Sequence, residues 1–218
     1  MGLDFTVVPA FFDKLLLGSL WTVAITLSAA VLSFFGGIFL AVIALYAPAI
    51  IRWPFKAFSW LFMGTPLLLQ LFLIYFGLIE IGVDLPAFVA GVIGLGLHYA
   101  VYNSDIIQAG IQAVDKGQYE GARTLGLSQF QTIRKIIVPQ AVRSVIPPIG
   151  NNMIALLKDS ALVSVIGVTE LTLTSQLAIS KTFRPFEFYI AAAVCYYVIN
   201  LALEAILRRI ERNIQAAR

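Results

Sequence analysis

Charged side chains are scarce in this sequence: they make up 12% of its 218 residues, against about 25% in an ordinary soluble domain. Hydrophobic residues account for 60% of the chain, and its mean hydropathy is +0.89. A water-soluble fold cannot bury that much apolar surface, so the composition excludes a soluble globular domain and indicates a protein embedded in a lipid bilayer. The formal net charge of +3 is too small to indicate nucleic acid as a partner.

Cysteine and histidine are nearly absent, with one residue of each type, Cys195 and His98. A single cysteine excludes an intrachain disulfide and leaves no basis for a zinc site. We expect His98 to be a hydrogen-bonded structural residue rather than a proton relay. The sequence also lacks the phosphate-binding motif GxxxxGK(S/T) and the HExxH, CxxC and nucleophile-elbow signatures, so we predict no catalytic residue and no metal site. No linker divides the chain, which indicates a single membrane domain over residues 1–218.

Long apolar segments are what the chain does contain. A helix needs about 20 mostly apolar residues to cross a bilayer. Five segments have this length: one within residues 15–46, then about 57–79, about 85–104, an interrupted segment that begins near Gln140, and about 188–207. Thr65 and Pro66 are expected to bend the second of them. The predicted fold class is an all-α integral membrane protein with five transmembrane helices and a polar loop between the third and the fourth.

Lysine and arginine residues near the segment ends predict the orientation, because cytoplasmic loops retain them. With the N-terminus outside, the cytoplasmic side collects Arg52, Lys56, Lys116, Arg123, Arg134, Lys135, Arg143, Arg208, Arg209, Arg212 and Arg218. The outer side then holds only Lys14, Lys158, Lys181 and Arg184. We therefore expect the C-terminus and the polar loop to be cytoplasmic.

The polar loop carries the signals of two short helices. Residues 118–125 have room for two helical turns, Asp115 is a possible cap upstream, and Gly126 suits the left-handed position that ends a helix. Ser128, followed three residues later by Gln131, matches a capping box, so a second helix is expected to begin at once. The loop is therefore predicted to be structured.

The second helix of the loop is amphipathic. Its predicted apolar face, which is expected to lie on the membrane domain, consists of Phe130, Ile133, Ile136 and Ile137. Its predicted water-facing residues are Gln131, Arg134 and Lys135. Such a hairpin is compatible with a simple connector and with a docking element for a partner protein. The capped first helix, displayed beyond the membrane surface, favours the docking element.

The fourth segment contains residues that interrupt a helix and residues that carry charge. Pro147, Pro148 and Gly150 are expected to break its hydrogen bonding, and the polar side chains of Asn151 and Asn152 follow. Broken helices at membrane depth often form solute sites, because their free backbone groups must be satisfied by protein or by a wet cavity. Asn151 and Asn152 are therefore candidate residues of a solute path.

Lys158 and Asp159 are ionisable residues inside an otherwise apolar sequence, and such residues are candidates for function. Adjacent residues on a helix point about 100° apart, so a direct pair is poorly arranged. We predict that each faces part of a solute path, with Asp159 meeting an ammonium and Lys158 a carboxylate. The alternative is a structural pair at the outer membrane surface. Glu170, farther along, either lines an outer gate of the path or caps a helix.

Three stretches resemble the permease subunits of bacterial ATP-binding-cassette importers. "EGARTLG" followed by "IIVP" is similar to the cytoplasmic EAA loop of that family: Glu120, Ala122, Gly126 and Pro139 fall on its pattern, while Gly121 replaces the middle alanine. "GTPLLLQLFLIYF" at 64–76 and "PPIGNNMIALLKDSALVSVIGVTEL" at 147–171 narrow the resemblance to the polar amino acid uptake group. Met63 stands where a basic residue often precedes the Gly-Thr-Pro of that group.

The resemblance implies a five-span permease in a bacterial cytoplasmic membrane. It would pair with a second permease subunit, either another copy or a sister chain, and work with two ATPase subunits and an external amino acid-binding protein. ATP and Mg²⁺ would bind the ATPase, with no cofactor in this chain. The implied contacts with the ATPase are Glu120, Gly121, Ala122, Leu125 and Gly126.

An ion-gradient-driven secondary transporter is the alternative function. It would also explain charges beside a broken helix. Such transporters are commonly built from two repeated halves, however, and five spans without an internal repeat divide badly into halves. It would also leave a structured docking loop without a role.

Overall fold

The computed structural model describes residues 2–216, which fold into nine α-helices joined by short 3₁₀ and π turns, with no strand among them. The helices are α1 Phe12–Tyr46, α2 Ala49–Gly64, α3 Leu67–Phe72, α4 Ala87–Gln112, α5 Lys116–Thr124, α6 Gln129–Thr132, α7 Val138–Asp159, α8 Leu171–Thr182 and α9 Pro185–Ala216. Within this range four helical stretches are long and apolar enough to cross a membrane, and α2 with α3 can supply a fifth span. Arg218, one of the residues used to predict the orientation, lies outside the described range.

Helices α1, α4 and α7 form the centre of the bundle, and small residues let them approach closely. A β-carbon at Gly37 of α1 would lie 2.7 Å from the β-carbon of Asn103 in α4. A β-carbon at Gly110 of α4 would overlap the side chain of Val145 in α7. Close backbone approach at small residues is a main source of stability between helices in lipid, where burial of apolar surface gives little.

The second span is sharply bent, as Thr65 and Pro66 predicted, but it differs from the predicted segment. Helix α2 begins at Ala49 rather than near residue 57, and α3 with its following turns leaves α2 at an angle of 115°. Proline has no N–H to donate, so the helix cannot continue through Pro66 without losing a hydrogen bond.

The side chain of Gln70 holds this bend. Its Nε2 donates to the carbonyl oxygens of Phe62, at 2.7 Å, and Thr65, at 3.0 Å, which lie at the end of α2. Its Oε1 lies 3.0 Å from Nδ1 of His98, and Gln70 is only 5% exposed. His98 therefore has the hydrogen-bonded structural position expected from the sequence. One amide thus satisfies two carbonyl groups that the broken helix leaves free.

Replacing Gln70 by leucine is expected to destabilise the chain by roughly 1 to 3 kcal/mol, because two carbonyl groups lose their donor in a buried place. The melting temperature of the purified full chain should fall by several degrees. Gln176→Leu is a matched control, since Gln176 is exposed and its side chain forms no hydrogen bond within residues 2–216. Equal melting temperatures for the two variants would mean that the hydrogen bonds of Gln70 do not stabilise the bend.

The fourth span continues through the residues that were expected to break it, so that prediction is wrong. Helix α7 is uninterrupted from Val138 to Asp159 and contains both Pro147 and Pro148. The two prolines remove donors only to the carbonyls one turn earlier, at Arg143 and Ser144, and membrane helices tolerate such losses. Gly150 is buried, and a β-carbon there would lie within 4 Å of Leu207 in α9, so this glycine serves helix packing.

The true break follows Asp159. A 3₁₀ helix occupies Ser160–Ile166, and Gly167 then adopts a left-handed conformation with φ 90°. Ser160, Val163 and Ile166 are at most 2% exposed, which meets the requirement that irregular backbone at membrane depth be buried in protein. Helix α8, which the sequence analysis did not predict, packs between this break and α9.

The two ends of the bundle differ. At one end, here called the far end, the first residues contact the start of α9: the Asp4 amide donates to Glu187 at 2.9 Å, and Arg184 donates to the Gly2 carbonyl at 2.8 Å. The other end, here called the loop end, carries α5 and α6. Helix α9 buries only three residues and leaves one side open along its length.

Candidate functional site

Helix α5 at the loop end is held by local caps, as predicted. The Asp115 carboxylate accepts the Gly117 amide at 2.6 Å at its start. Gly126 has φ 73° at its end, and the Gly126 and Leu127 amides donate to the carbonyls of Arg123 and Ala122 at 2.9 and 3.1 Å. This pair of bonds is a Schellman motif, which satisfies carbonyl groups that a helix end leaves free.

The second helix of the loop begins as predicted and then departs from the prediction. The capping box is formed, with the Gln131 amide donating to Ser128 Oγ and the Ser128 amide donating to Gln131 Oε1. A π turn at Ile133–Ile137 then rotates the following residues. Thr132 and Ile137 are buried, whereas Phe130 is 69% exposed and is not part of the inward face. Helical spacing alone missed this, because a π turn adds a residue to the repeat.

Four of the five residues assigned to partner contact are exposed in α5 and its cap. These are Glu120, Gly121, Leu125 and Gly126. Leu125 is 79% exposed, which is a large apolar surface for a polar helix. Ala122 is only 2% exposed and faces inward, so it packs α5 against the protein instead of lying on the outer surface.

Helix α5 lies against two of the three central helices, α1 and α7. Gln140 of α7 donates to the Gln118 side chain at 3.3 Å, and Tyr119 with Tyr46 of α1 lines a cavity of about 170 Å³. Partial burial raises the pKa of the Tyr119 phenol above its usual range, so this group is neutral at physiological pH. Helix α5 is thus joined to α7 by a side-chain hydrogen bond and lies beside the end of α1.

A polar cluster lies inside the bundle between α1, α4 and α7. The Tyr99 hydroxyl donates to Asp159 Oδ2 at 2.7 Å. Tyr99 lies at the middle of the 26-residue helix α4, so the Asp159 carboxylate lies level with the middle of that helix rather than with either of its ends. Within residues 2–216 Asp159 forms no ion pair, and its hydrogen-bond donor is a neutral hydroxyl group.

A chain of amide and hydroxyl groups continues this cluster toward the loop end. Asn152 Nδ2 donates to Asn103 Oδ1 at 3.0 Å, and Asn103 Nδ2 donates to Ser33 Oγ at 3.3 Å. These three residues and Tyr99 line a cavity of about 460 Å³ whose other walls are apolar. A mostly apolar cavity with a few placed polar groups is typical of small-molecule sites.

Asn151 and Lys158 lie on a different face of α7. They are seven residues apart, and both are exposed. Lys158 lines a separate cavity of about 500 Å³ with Tyr197 and Asn200 of α9. The structure therefore does not bring the candidate path residues into one cluster: Asn152 and Asp159 face α4, and Asn151 and Lys158 face outward.

Glu170 caps helix α8, which was one of its two expected roles. Its carboxylate accepts the Thr172 and Leu173 amides at 2.9 and 3.0 Å and the Tyr196 hydroxyl at 2.6 Å, while Thr22 Oγ1 lies at 3.3 Å. The side chain is fully buried. Burial raises the pKa of Glu170, and the hydrogen bonds that it accepts act in the opposite direction. Glu170 thus joins α8 to α1 and α9.

Three members of the polar cluster were not predicted from the sequence: Ser33, Asn103, and Tyr99 as the partner of Asp159. One signal was available, since Tyr99 and Asn103 are four residues apart and share a face of an otherwise apolar span. Asn152 and Asp159 have the matching spacing of seven on α7. A pair of polar residues on one face of α4 and a similar pair on α7 indicate that each face packs against another helix. The spacing does not show which helix that is.

Comparison with known proteins gives one family and several full-length relatives. Residues 33–216 match the model of the family described as "Binding-protein-dependent transport system inner membrane component". The arginine transport system permease protein ArtQ of Bacillus subtilis (strain 168) is 36% identical over 219 residues, covering 99% of each chain. The glutamine transport system permease protein GlnP of Escherichia coli (strain K12) is 37% identical over 196 residues, covering 87% of this chain and 90% of that protein.

Solved structures have the same fold. A crystal structure of an amino acid ABC transporter with histidines contains a chain that is 38% identical and superposes with a TM-score of 0.91, over 98% of this chain and all of that one. A chain of the MetNI methionine ABC transporter in an inward-facing conformation superposes with a TM-score of 0.76 at 19% identity, over 94% of this chain and 98% of that one, which is a likeness of fold alone.

Proposed function

The chain belongs to the family of binding-protein-dependent transport system inner membrane components, as the permease subunit of an amino acid importer of the ATP-binding-cassette class, and from this premise we propose how its residues couple to the ATPase and meet the solute. It is a multi-pass inner membrane protein and is not itself the catalytic subunit. Membership of the family implies an ATPase and a solute-binding protein as partners.

Helix α5 and its cap dock on the ATPase, through Glu120, Gly121, Leu125 and Gly126. The observation that carries this proposal is a short polar helix, capped at both ends and displayed at the loop end with Leu125 79% exposed. An exposed leucine on a rigid support suits a groove in a partner protein. Phe130, 69% exposed nearby, adds a second apolar contact.

Transmission follows from the contacts of α5. The Gln118–Gln140 bond links it to α7, and Tyr119 lines one cavity with Tyr46 of α1. When ATP closes the ATPase subunits, α5 moves with them, and α1 and α7 tilt between outward and inward access. Asp159 and Asn152 on α7 move against Tyr99 and Asn103 on α4.

The solute is a polar amino acid that meets Asp159 near the membrane centre. The carboxylate suits an ammonium or guanidinium group, and Tyr99 orients it. Lys158 on the neighbouring face of α7 suits the solute carboxylate. The relatives whose names specify glutamine and arginine are consistent with a polar solute. Asn151 and Asn152 supply neutral polar groups along the same stretch of α7.

A second permease subunit, either another copy or a sister chain, completes the path. The support is the open side of α9 and the exposed face of α7 with Asn151 and Lys158, since polar groups facing lipid are costly. The N-terminus lies outside the bacterial cytoplasmic membrane and the C-terminus in the cytoplasm. The basic residues of the loop end support this orientation.

Purification of the chain with its co-expressed neighbours tests the proposal. We expect an ATPase subunit to remain bound and its hydrolysis to rise when an amino acid-loaded binding protein is added. Uptake into vesicles should require internal ATP and persist when ionophores collapse the ion gradients. Uptake that follows an ion gradient and ignores ATP would instead support the secondary transporter.

A further inference from the structure

A second groove lies at the far end of the bundle, between α1 and α8. It encloses about 310 Å³ and is separate from the polar cluster and from α5. Its lining residues are Phe11, Lys14, Leu17, Gly18, Trp21, Thr169, Thr174, Leu177, Ala178 and Lys181. Two of these ten side chains are basic, although basic residues are rare at this end of the molecule.

The two lysines are not engaged by carboxylates. Between residues 2 and 216 the ion pairs are Arg184–Glu187 and Arg208–Glu204, so neither Lys14 nor Lys181 takes part in one. The Lys14 ammonium lies 5.2 Å from the centre of the Phe11 ring, and both lysines are exposed. Two free ammonium groups beside one groove favour an anionic occupant.

The walls of the groove are mostly apolar and exposed on the outside of the bundle. Leu17, Trp21 and Leu177 are 57%, 45% and 49% exposed. The Trp21 ring packs edge-on against Phe88 of α4, with ring centres 5.6 Å apart, which gives the groove a fixed floor. Exposed apolar walls of this kind accommodate an acyl chain.

The spacing of the groove residues along α1 matches the parts of a phospholipid. Lys14, Leu17 and Trp21 lie on one face of α1, because spacings of three and four residues follow the helical repeat. At a rise of 1.5 Å per residue, Lys14 lies about 10 Å beyond Trp21 toward the far end. The headgroup region of each leaflet is about 5 to 8 Å thick. With Trp21 at the hydrocarbon boundary, the long side chain of Lys14 therefore reaches the headgroups.

We propose that the groove between α1 and α8 binds an acidic phospholipid. Its phosphate lies between Lys14 and Lys181, and an acyl chain lies along Leu17, Trp21 and Leu177. Lys14 belongs to α1 and Lys181 to α8, two helices that Glu170 and Thr22 already join by hydrogen bonds. The lipid therefore adds a further link between α1 and α8. This site is independent of the proposed contacts with the ATPase and the solute.

Trp21 is a built-in reporter for the experiment. The chain has three tryptophans, and Trp53→Phe with Trp60→Phe leaves Trp21 as the only one. The full chain is reconstituted in bilayers that contain either brominated phosphatidylglycerol or brominated phosphatidylcholine, whose bromines quench nearby tryptophan. We expect brominated phosphatidylglycerol to reach half-maximal quenching of Trp21 at a mole fraction on the order of 10- to 30-fold lower than brominated phosphatidylcholine. The reason is that two lysines contribute to binding the acidic headgroup.

Substitutions in this background identify the groups responsible. Lys14→Gln with Lys181→Gln should bring the two brominated lipids to nearly equal quenching, whereas Lys14→Arg with Lys181→Arg should keep the preference. Lys135→Gln is the matched control, since Lys135 is an exposed lysine at the loop end. It should leave the preference unchanged.

Three results would overturn the proposal. Equal quenching by the two lipids before any lysine is changed would mean that the groove is not selective. A preference that survives the double glutamine substitution would mean that the net charge of the chain produces it. Loss of the preference on adding glycerol 3-phosphate would mean that the ligand is a soluble anion.

Discussion

Replacing Asp159 by asparagine is expected to lower amino acid uptake by roughly 10- to 100-fold while assembly and ATP hydrolysis persist. Asparagine keeps the size of the side chain, and its oxygen still accepts the hydrogen bond that Tyr99 donates at 2.7 Å. Only the charge is removed. A cationic group of a solute at the centre of the membrane then has no compensating partner, which is costly where the dielectric constant is low.

The measurement is uptake of labelled amino acids, beginning with glutamine and arginine, into vesicles that hold the permease with its ATPase and binding protein. Binding of the solute to the external protein should be unchanged. Glu204→Gln is a matched control, since Glu204 is also a carboxylate in a membrane helix but forms an ion pair with Arg208 at 3.1 Å. Exposed pairs of this kind contribute about 0.2–1 kcal/mol, so uptake should be nearly normal.

Lys158→Met tests the other charge, since methionine keeps much of the length of lysine and removes the ammonium. We expect uptake to fall while the complex still hydrolyses ATP. If uptake persists with unchanged affinity in both Asp159→Asn and Lys158→Met, the two charges are structural and the path is lined by the polar groups around residues 150–152. Collapse of assembly in detergent would also indicate a structural role.

Gly126→Val is expected to release or uncouple the ATPase while the permease remains in the membrane. The reason is backbone strain alone. Gly126 has φ 73°, and a β-carbon there would meet no atom within 4 Å, so there is space but the conformation is unfavourable for a β-branched residue. The Schellman motif should be lost, and with it the direction in which Leu125 is presented.

A glycine at the far end supplies the control for that substitution. Gly82 also has a left-handed conformation, with φ 84°, and open space around its β-carbon position, so Gly82→Val introduces the same backbone strain away from α5 and should keep ATPase binding. Glu120→Lys reverses the charge on the surface of α5 and should weaken ATPase retention without affecting that helix. Retention of the ATPase in detergent and ATP-driven uptake are measured for each variant. Normal values for Gly126→Val and Glu120→Lys would mean that the loop is only a connector.

The loop was predictable because its chemistry is local. Asp115, Gly126 and the pair Ser128 and Gln131 act on backbone groups within three or four residues, and each has the predicted role in the structure. The bend at Pro66 was predictable for the same reason. The inward face of α6 was not, because Phe130 follows the expected spacing but the π turn after it changes the register.

The break of the fourth span and the polar cluster depend on contacts that are distant in the chain. Pro147 and Pro148 break a helix according to their local preferences, yet α7 remains helical within the bundle. Asp159 and Tyr99 are 60 residues apart in sequence, and nothing near either residue specifies the other as its partner. Polar side chains in apolar segments indicated function, whereas which of them pair depends on how the helices pack together.

The 3₁₀ segment Ser160–Ile166 gives the fold an adjustable length. A 3₁₀ helix rises about 2.0 Å per residue and an α-helix about 1.5 Å, so rewinding these seven residues to α geometry would shorten the segment by about 3.5 Å. Gly167 has a left-handed conformation, with φ 90°, so the chain after it runs in a different direction from α7. A local change of winding in this segment would therefore alter the distance between Asp159 and α8 by about 3.5 Å without any change in the length of α7.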